Sequence, residues 1–218
     1  MTQTELLLDV VVSAMFEENS FVARLEGRAD CVIVDPGFDA ERIIALVSSR
    51  GLTPAAILNT HGHADHIAGN AALKERWPQC PLVIGARDAS KLTDPDGNLS
   101  GLFGFGLTSP PADVLLSDGE SYSVAGLALE VRETPGHTVG HVVYVWKGRT
   151  PWVVFGGDML FRGSVGRADF PDSNPADLVR SIRTRLYSLP DDTIVYSGHG
   201  EETTIGHEKR YNPFVRGE

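Results

Sequence analysis

The segment Thr60-His61-Gly62-His63-Ala64-Asp65-His66 packs three histidines and a carboxylate into six consecutive positions. Imidazole nitrogens and carboxylate oxygens bind zinc at about 2.0–2.2 Å, so side chains that share an ion must converge on one point. His61 and His63, two apart in extended backbone, project to the same side. Asp65 and His66 come where the chain turns into a helical pattern, and so face a second, neighbouring point. A single histidine such as His207 reads as a surface or capping residue. The density from His61 to His66 reads as metal binding.

Three further motifs along the chain have the same character. His137 and His141 share Thr134-Pro135-Gly136-His137-Thr138-Val139-Gly140-His141, Asp158 follows Gly156-Gly157, and His199 stands in Ser197-Gly198-His199-Gly200. Each follows an apparent strand end, where loops gather to build sites on α/β scaffolds. Two cations 3.5–4 Å apart need a negative bridge, and a carboxylate such as Asp158 supplies one. His141 has two readings, as a residue behind the ligands or as part of the following strand.

Around these motifs the pattern alternates between short apolar runs and helical periodicity. Leu6–Val12, Ser20–Leu25, Cys31–Val34, Ala55–Leu58, Leu82–Ile84, Leu127–Glu133, His141–Trp146, Trp152–Phe155 and Ile194–Tyr196 read as strands. Asp35-Pro36-Gly37 is a turn signal. Asp39–Arg50, Asp65–Trp77, Ala176–Leu189 and Thr204–Tyr211 read as helices. Strands followed by helices, in two halves, predict two sheets sandwiched between helices in one domain spanning residues 1–218. From Asp94 to Pro111 the pattern dissolves into glycine, serine and proline, yet carries Leu102, Phe103, Phe105 and Leu107. Two readings stand for that stretch, a loop tucked onto the core or a lid over a substrate groove.

Composition sets outer bounds. The chain has 218 residues, 42% of them apolar and 22% charged, as in ordinary globular proteins, with a net charge of −10. That charge argues against nucleic acid and anionic membranes as partners. Cys31 and Cys80 lie in no metal-ligand spacing and read as buried free thiols. Met1–Phe16 has no positive n-region and carries Glu5 and Asp9, so it does not read as a signal peptide; the cytoplasm is the expected compartment. Composition is silent on oligomeric state.

The motifs, in their order, resemble the metallo-β-lactamase superfamily over nearly the whole chain. The resemblance implies a four-layer αβ/βα sandwich of two mixed β-sheets flanked by helices, with a binuclear site at one edge. It implies that His61, His63 and His137 hold one ion and Asp65, His66 and His199 the other, bridged by Asp158 and a hydroxide. Zinc is the expected metal, and iron and manganese also suit such ligands. Thr134–Thr138, Gly157–Phe161, Gly163–Arg167 and the ending Thr203–Phe214 are similar to short, single-domain glyoxalase II-like hydrolases. Thioester hydrolysis is therefore the implied activity, with Asp65 orienting the attacking hydroxide. Lys209, Arg210, Phe103 and Phe105 are candidates for substrate contact. Glyoxalase II enzymes with an added helical domain for glutathione are longer than this chain, which leaves the thiol carrier open.

Three rivals have distinct signatures. A persulfide dioxygenase would hold one iron through His61, His137 and Asp158 and consume oxygen. A β-lactamase would turn over nitrocefin, although several enzymes of that kind place cysteine where Asp158 stands. A catalytically silent metal-binding interaction protein would be free to lose ligands, and this set is intact.

Overall fold

Apolar runs without polar interruption, such as Cys31-Val32-Ile33-Val34 and Val142-Val143-Tyr144-Val145-Trp146, belong in strands covered on both faces. The computed structural model describes residues 4–217, and both runs are interior strands in it. The first three residues of the stretch Met1–Phe16, and Glu218, lie outside the described residues.

Strands β1 (Leu6–Val12), β2 (Asn19–Leu25), β3 (Asp30–Val34), β4 (Thr53–Asn59), β5 (Leu82–Gly85) and β6 (Val114–Leu116) form a first sheet in that spatial order. β1 to β3 pair antiparallel, and β3 to β6 pair parallel. Strands β7 (Ser121–Val124), β8 (Leu127–Glu133), β9 (Val142–Trp146) and β10 (Val153–Gly157) open the second half. A small hairpin of β11 (Leu160–Phe161) and β12 (Ser164–Val165) follows, then β13 (Ile194–Ser197) and β14 (Thr203–Thr204). The second sheet runs β14-β13-β10-β9-β8-β7, with β10 and β13 parallel and the remaining pairs antiparallel.

The period-2 alternation of each interior strand divides its side chains between two cores. Val32, Val34, Ala56 and Leu58 of the first sheet meet Val142, Tyr144, Trp146 and Phe155 of the second, so the sheets pack face to face. On the outer side, Cys31, Ile33, Ile57 and Ile84 pack against Ile43 and Val47 of helix α1 (Ala40–Ser49). Ile67 of α2 (Ala64–Ile67) and Leu73 of α3 (Asn70–Arg76) complete that layer. Beyond the second sheet, Val143, Val145, Val154 and Val195 meet Leu178 of α4 (Pro175–Ser181) and Ile205 of α5 (Ile205–Tyr211). Each fully buried aliphatic side chain contributes roughly 1.5–3 kcal/mol. The result is the four-layer αβ/βα sandwich. Among the described residues, no helix is long and apolar enough to cross a membrane.

Two expected helices are divided. The helix expected over Asp65–Trp77 breaks at Ala68-Gly69 into α2 and α3. Gly69 N–H donates to Pro36 O at 2.8 Å, and a Cβ there would come within 2.9–3.0 Å of Gly37 O and Pro36, so the helix gives way to the Asp35–Gly37 turn. The helix expected over Ala176–Leu189 starts at Pro175, where Asn174 Oδ1 accepts from Ala176 and Asp177 N–H, and loosens into a π turn at Ile182–Leu186. Strands β6, β11, β12 and β14 span only two or three residues, too short to show an alternation, and β7 alternates over only four; sequence reading passed over all five.

Candidate metal centre

Parallel strands end at one edge, and the loops beyond their carboxyl ends collect there. β4 ends at Asn59 and delivers the His61–His66 segment, with His63 in the N-cap position of α2 and Asp65 and His66 in its first turn. The β8–β9 connection delivers His137, Asp158 follows β10, and His199 follows β13. These seven side chains converge in three overlapping groups. They are His61–His63–His137, His61–His66–Asp158 and Asp65–His66–His199, each with its ligand atoms within 4.8 Å of one another.

The geometry fits cations. His63 Nδ1 stands 2.9 Å from His137 Nε2, and His66 Nε2 stands 3.3 Å from Asp158 Oδ1. Asp158 Oδ2 is 3.5 Å from His137 Nε2 and 3.6 Å from His199 Nε2, and Asp65 Oδ2 is 3.4 Å from His199 Nε2. Two ligands on one tetrahedral zinc stand about 3.3 Å apart. His61 Nε2, His66 Nε2 and Asp158 Oδ1 are buried without a hydrogen-bond partner. Such orphans cost about 1–3 kcal/mol each, a cost that coordination removes.

The groups behind the ligands fix which ring nitrogen faces inward. His137 Nδ1–H donates to Arg167 O at 2.8 Å, which leaves Nε2 free to coordinate. Thr60 Oγ1–H donates to Asp35 Oδ2 at 2.7 Å, so its oxygen accepts from His61 Nδ1–H at 3.1 Å and His61 Nε2 points into the site. Asp35 Oδ1 also accepts from Thr60 N–H, and Asp35 Oδ2 lies 3.1 Å from His66 Nδ1. His141 is one of these supports. Its Nε2 accepts from Asp158 N–H at 3.1 Å, and its Nδ1–H donates to Thr134 Oγ1 at 2.9 Å. Asp88, fully buried, accepts from Gly62 N–H, Gly140 N–H and Thr138 Oγ1–H and thereby ties two ligand loops together. Gly198 keeps room for the cluster, because a Cβ there would overlap Asp158 Oδ1 and stand 2.7 Å from His66 Cε1.

Electrostatics divide the cluster. Burial, reinforced by neighbouring imidazoles, holds His61, His63 and His141 well below the ordinary histidine pKa, so they stand neutral as ligands and supports require. Burial opposes charge on His66 too, but Asp158 and Asp65 outweigh it and raise this imidazole. Burial alone would likewise raise Asp158, yet the positive field of His66 holds the carboxyl well below the carboxylate range. Asp65 is lowered, with burial again overcome by His66 and by His199. Two carboxylates are thus held ionised among five imidazoles, the form in which they can serve as ligands.

The cluster floors a cavity of about 340 Å³, at the small end of ligand pockets. Phe103 and Phe105 of the Asp94–Pro111 stretch line it, while Leu107 of the same stretch packs against the outer core. Phe16, Leu99, Phe161 and Phe170 line it as well, and no sequence pattern pointed to them. Lys209 and Arg210 lie elsewhere. They stand on α5, are not among the lining residues, and face Asp191, with Lys209 Nζ 2.7 Å and Arg210 Nη2 3.6 Å from its carboxylate. Asp35 and Asp88 were missed as supports. Asp35 was legible only as the start of a turn, and Asp88 sits in a 3₁₀ segment, Ala86–Thr93, without a signal of its own.

Comparison with known proteins points the same way. The family model described as the metallo-beta-lactamase superfamily matches residues 16–199. The hydroxyacylglutathione hydrolase GloC of Haemophilus influenzae is 34% identical over 215 residues, covering 95% of this chain and 97% of that protein. The crystal structure of the BLEG-1 B3 metallo-beta-lactamase superposes with a TM-score of 0.90 at 36% identity, covering 96% of this chain and 99% of that one. TTHA1623 in a di-iron-bound form gives a TM-score of 0.83 at 36% identity, covering 95% and 100%.

Proposed function

The chain belongs to the metallo-β-lactamase superfamily, and from that premise we propose that it is a cytoplasmic thioester hydrolase of the glyoxalase II type working with two divalent cations. His61, His63 and His137 would hold one, and Asp65, His66 and His199 the other, with Asp158 between them. Zinc suits this nitrogen and oxygen set; the two irons of TTHA1623 support iron as an alternative filling. Bound there, the cations supply Lewis acidity and lower the pKa of a water from 15.7 to about 7.

The observation that carries the reading is the convergence of seven ligand side chains, several with their ring nitrogens already set, on the floor of an otherwise apolar cavity. Asp65, ionised and part-exposed at the cavity floor, is placed to accept a hydrogen bond from the attacking hydroxide and so orient it toward a substrate in the cavity. A thiolate leaves readily, since its conjugate acid has a pKa of about 8.5. An amide nitrogen needs a proton on departure. The titratable side chains lining the cavity are His63, Asp65, His137, Asp158 and His199, all claimed by the ligand set, together with Arg167.

The likeness to BLEG-1 favours β-lactam hydrolysis as a second reading. Zinc-loaded protein offered acyl thioesters, S-D-lactoylglutathione among them, and nitrocefin separates the two. The expected result is chelator-sensitive thioester turnover at about 1 s⁻¹ or more with nitrocefin slower. Hydrolysis of nitrocefin alone would overturn the thioesterase reading.

A further inference from the structure

The floor of the cavity is polar and its walls are not. Phe16, Leu99, Phe103, Phe105, Phe161 and Phe170 line the cavity beside the candidate metal ligands. Three of them are left open to water, Phe16 at 40%, Phe103 at 50% and Phe105 at 49% of full exposure. They touch in sequence. Phe38 lies 5.8 Å from Phe16, Phe16 lies 5.5 Å from Phe103, Phe103 lies 6.4 Å from Phe105, and Phe105 closes back on Phe38 at 6.1 Å. Exposed apolar surface of this kind marks a place where a partner or ligand completes the packing.

Two of the wall residues are held against their own backbone preference. Phe16 has φ +67° and Leu99 has φ +68°, the left-handed region that bulky side chains avoid. They come from separate loops, the β1–β2 turn and the segment after the 3₁₀ helix, and both line the same cavity. Strain of this sort costs about 1–3 kcal/mol per residue and gathers at ligand sites. The base of the second loop is rigid. Asn98 Nδ2 donates to Lys91 O and Leu107 O, Asn98 Oδ1 accepts from Ser100 N–H, and Leu107 N–H donates to Ser100 Oγ at 2.9 Å. Phe103 and Phe105 are therefore carried on a loop pinned at its base beside the cavity.

The wall offers little to a polar ligand. Of its polar residues, five belong to the ligand set and Asn98 has spent its amide on the loop base. Arg167 remains, and its guanidinium already stacks on Phe170 at 4.4 Å and pairs with Asp169 at 2.9 Å. A hydroxylated acyl group would find only the free edge of the Arg167 guanidinium along these rings, whereas a hydrocarbon group would cover the exposed ones.

We infer that the substrate is a thioester with a bulky, apolar acyl group, aromatic or branched, and that Phe16, Phe103 and Phe105 determine this specificity. The inference rests on the thioesterase reading for the reaction but not for the binding. One extra methylene in an apolar pocket discriminates by about 10–200-fold, so phenylacetyl should exceed lactoyl by at least about 10-fold in kcat/KM.

The test uses the metal-loaded protein and one neutral thiol, N-acetylcysteamine. Hydrolysis of its phenylacetyl and D-lactoyl thioesters is compared, and calorimetry measures binding of its non-hydrolysable S-benzyl and S-methyl thioethers. Expected are at least about 10-fold preferences for phenylacetyl and for benzyl, both reduced toward unity in Phe103→Ser/Phe105→Ser. Tighter benzyl binding with no turnover of either thioester would keep the apolar site and remove the thioesterase reading. Turnover with benzyl and methyl bound equally, or neither bound, would overturn the inference and leave the thioesterase reading standing.

Discussion

Asp65 sits in the first turn of α2, 3.4 Å from His199 and ionised by the imidazoles around it. Its carboxylate is assigned two tasks, holding a cation and orienting the attacking hydroxide. Asp65→Ala should lower kcat on a thioester by about 100-fold or more, measured alongside metal content, whereas unchanged activity would remove its role. The thiols make a second residue-scale prediction. Burial pushes Cys31 up to about 12 and Cys80 up to about 11, against an ordinary value near 8.5. Folded protein keeps these protons where unfolded chain releases them, so the stabilisation is complete below about pH 8.5 and is lost as pH rises from there towards 11–12. Denaturation from pH 8 to 10.5 should show the decline, and both thiols should resist alkylation at pH 8 until the chain unfolds. At this scale the sequence was legible where chemistry is local. His61 to His66 stand side by side in the chain, whereas Asp35 serves Thr60 and Asp88 serves Gly140, each from far along the sequence. No local pattern marks such a carboxylate.

Between elements, the β1–β2 hairpin reaches across to the loop after β13. Asn19 Nδ2 donates to Ser197 O at 3.0 Å and to Gly200 O at 2.9 Å, either side of His199, and Asn19 N–H donates to Gly198 O. Glu18 and His199 form a backbone bridge beside them. Asn19 is thus a positioning residue for His199. Asn19→Ala should cost about 1–3 kcal/mol in urea denaturation and drop the metal stoichiometry from two toward one, since His199 belongs to a single group. Loss of stability with two ions retained would show the contact to be structural alone. Strands of five to seven residues, such as β3 and β8, were legible by composition. The break between α2 and α3 was not, because it depends on Gly69 meeting Pro36 from another part of the chain.

Across the whole molecule, the two halves meet at the site. His61, His63, Asp65 and His66 come from the first sheet's side, and His137, Asp158 and His199 from the second, so bound cations would lock the sheets together. Ligands that bind only folded chain stabilise by about 4.1 kcal/mol at a thousandfold excess over Kd, and a protein of this size shifts by about 2–4 °C per kcal/mol. Chelation should therefore lower Tm by about 8–16 °C, and a melting curve indifferent to chelator would argue that no ion is held. The four-layer plan was legible because its strands are continuous apolar runs and its ligand motifs keep their order. The aromatic wall was only partly legible, since Phe16, Phe161 and Phe170 reach the cavity from three separate segments with no shared motif. The most direct test of the central claim is titration of metal-free protein with zinc while thioester hydrolysis is followed. Turnover absent at the start, rising to a plateau at two equivalents per chain and abolished by chelator, is the predicted result; turnover by the metal-free chain would contradict it.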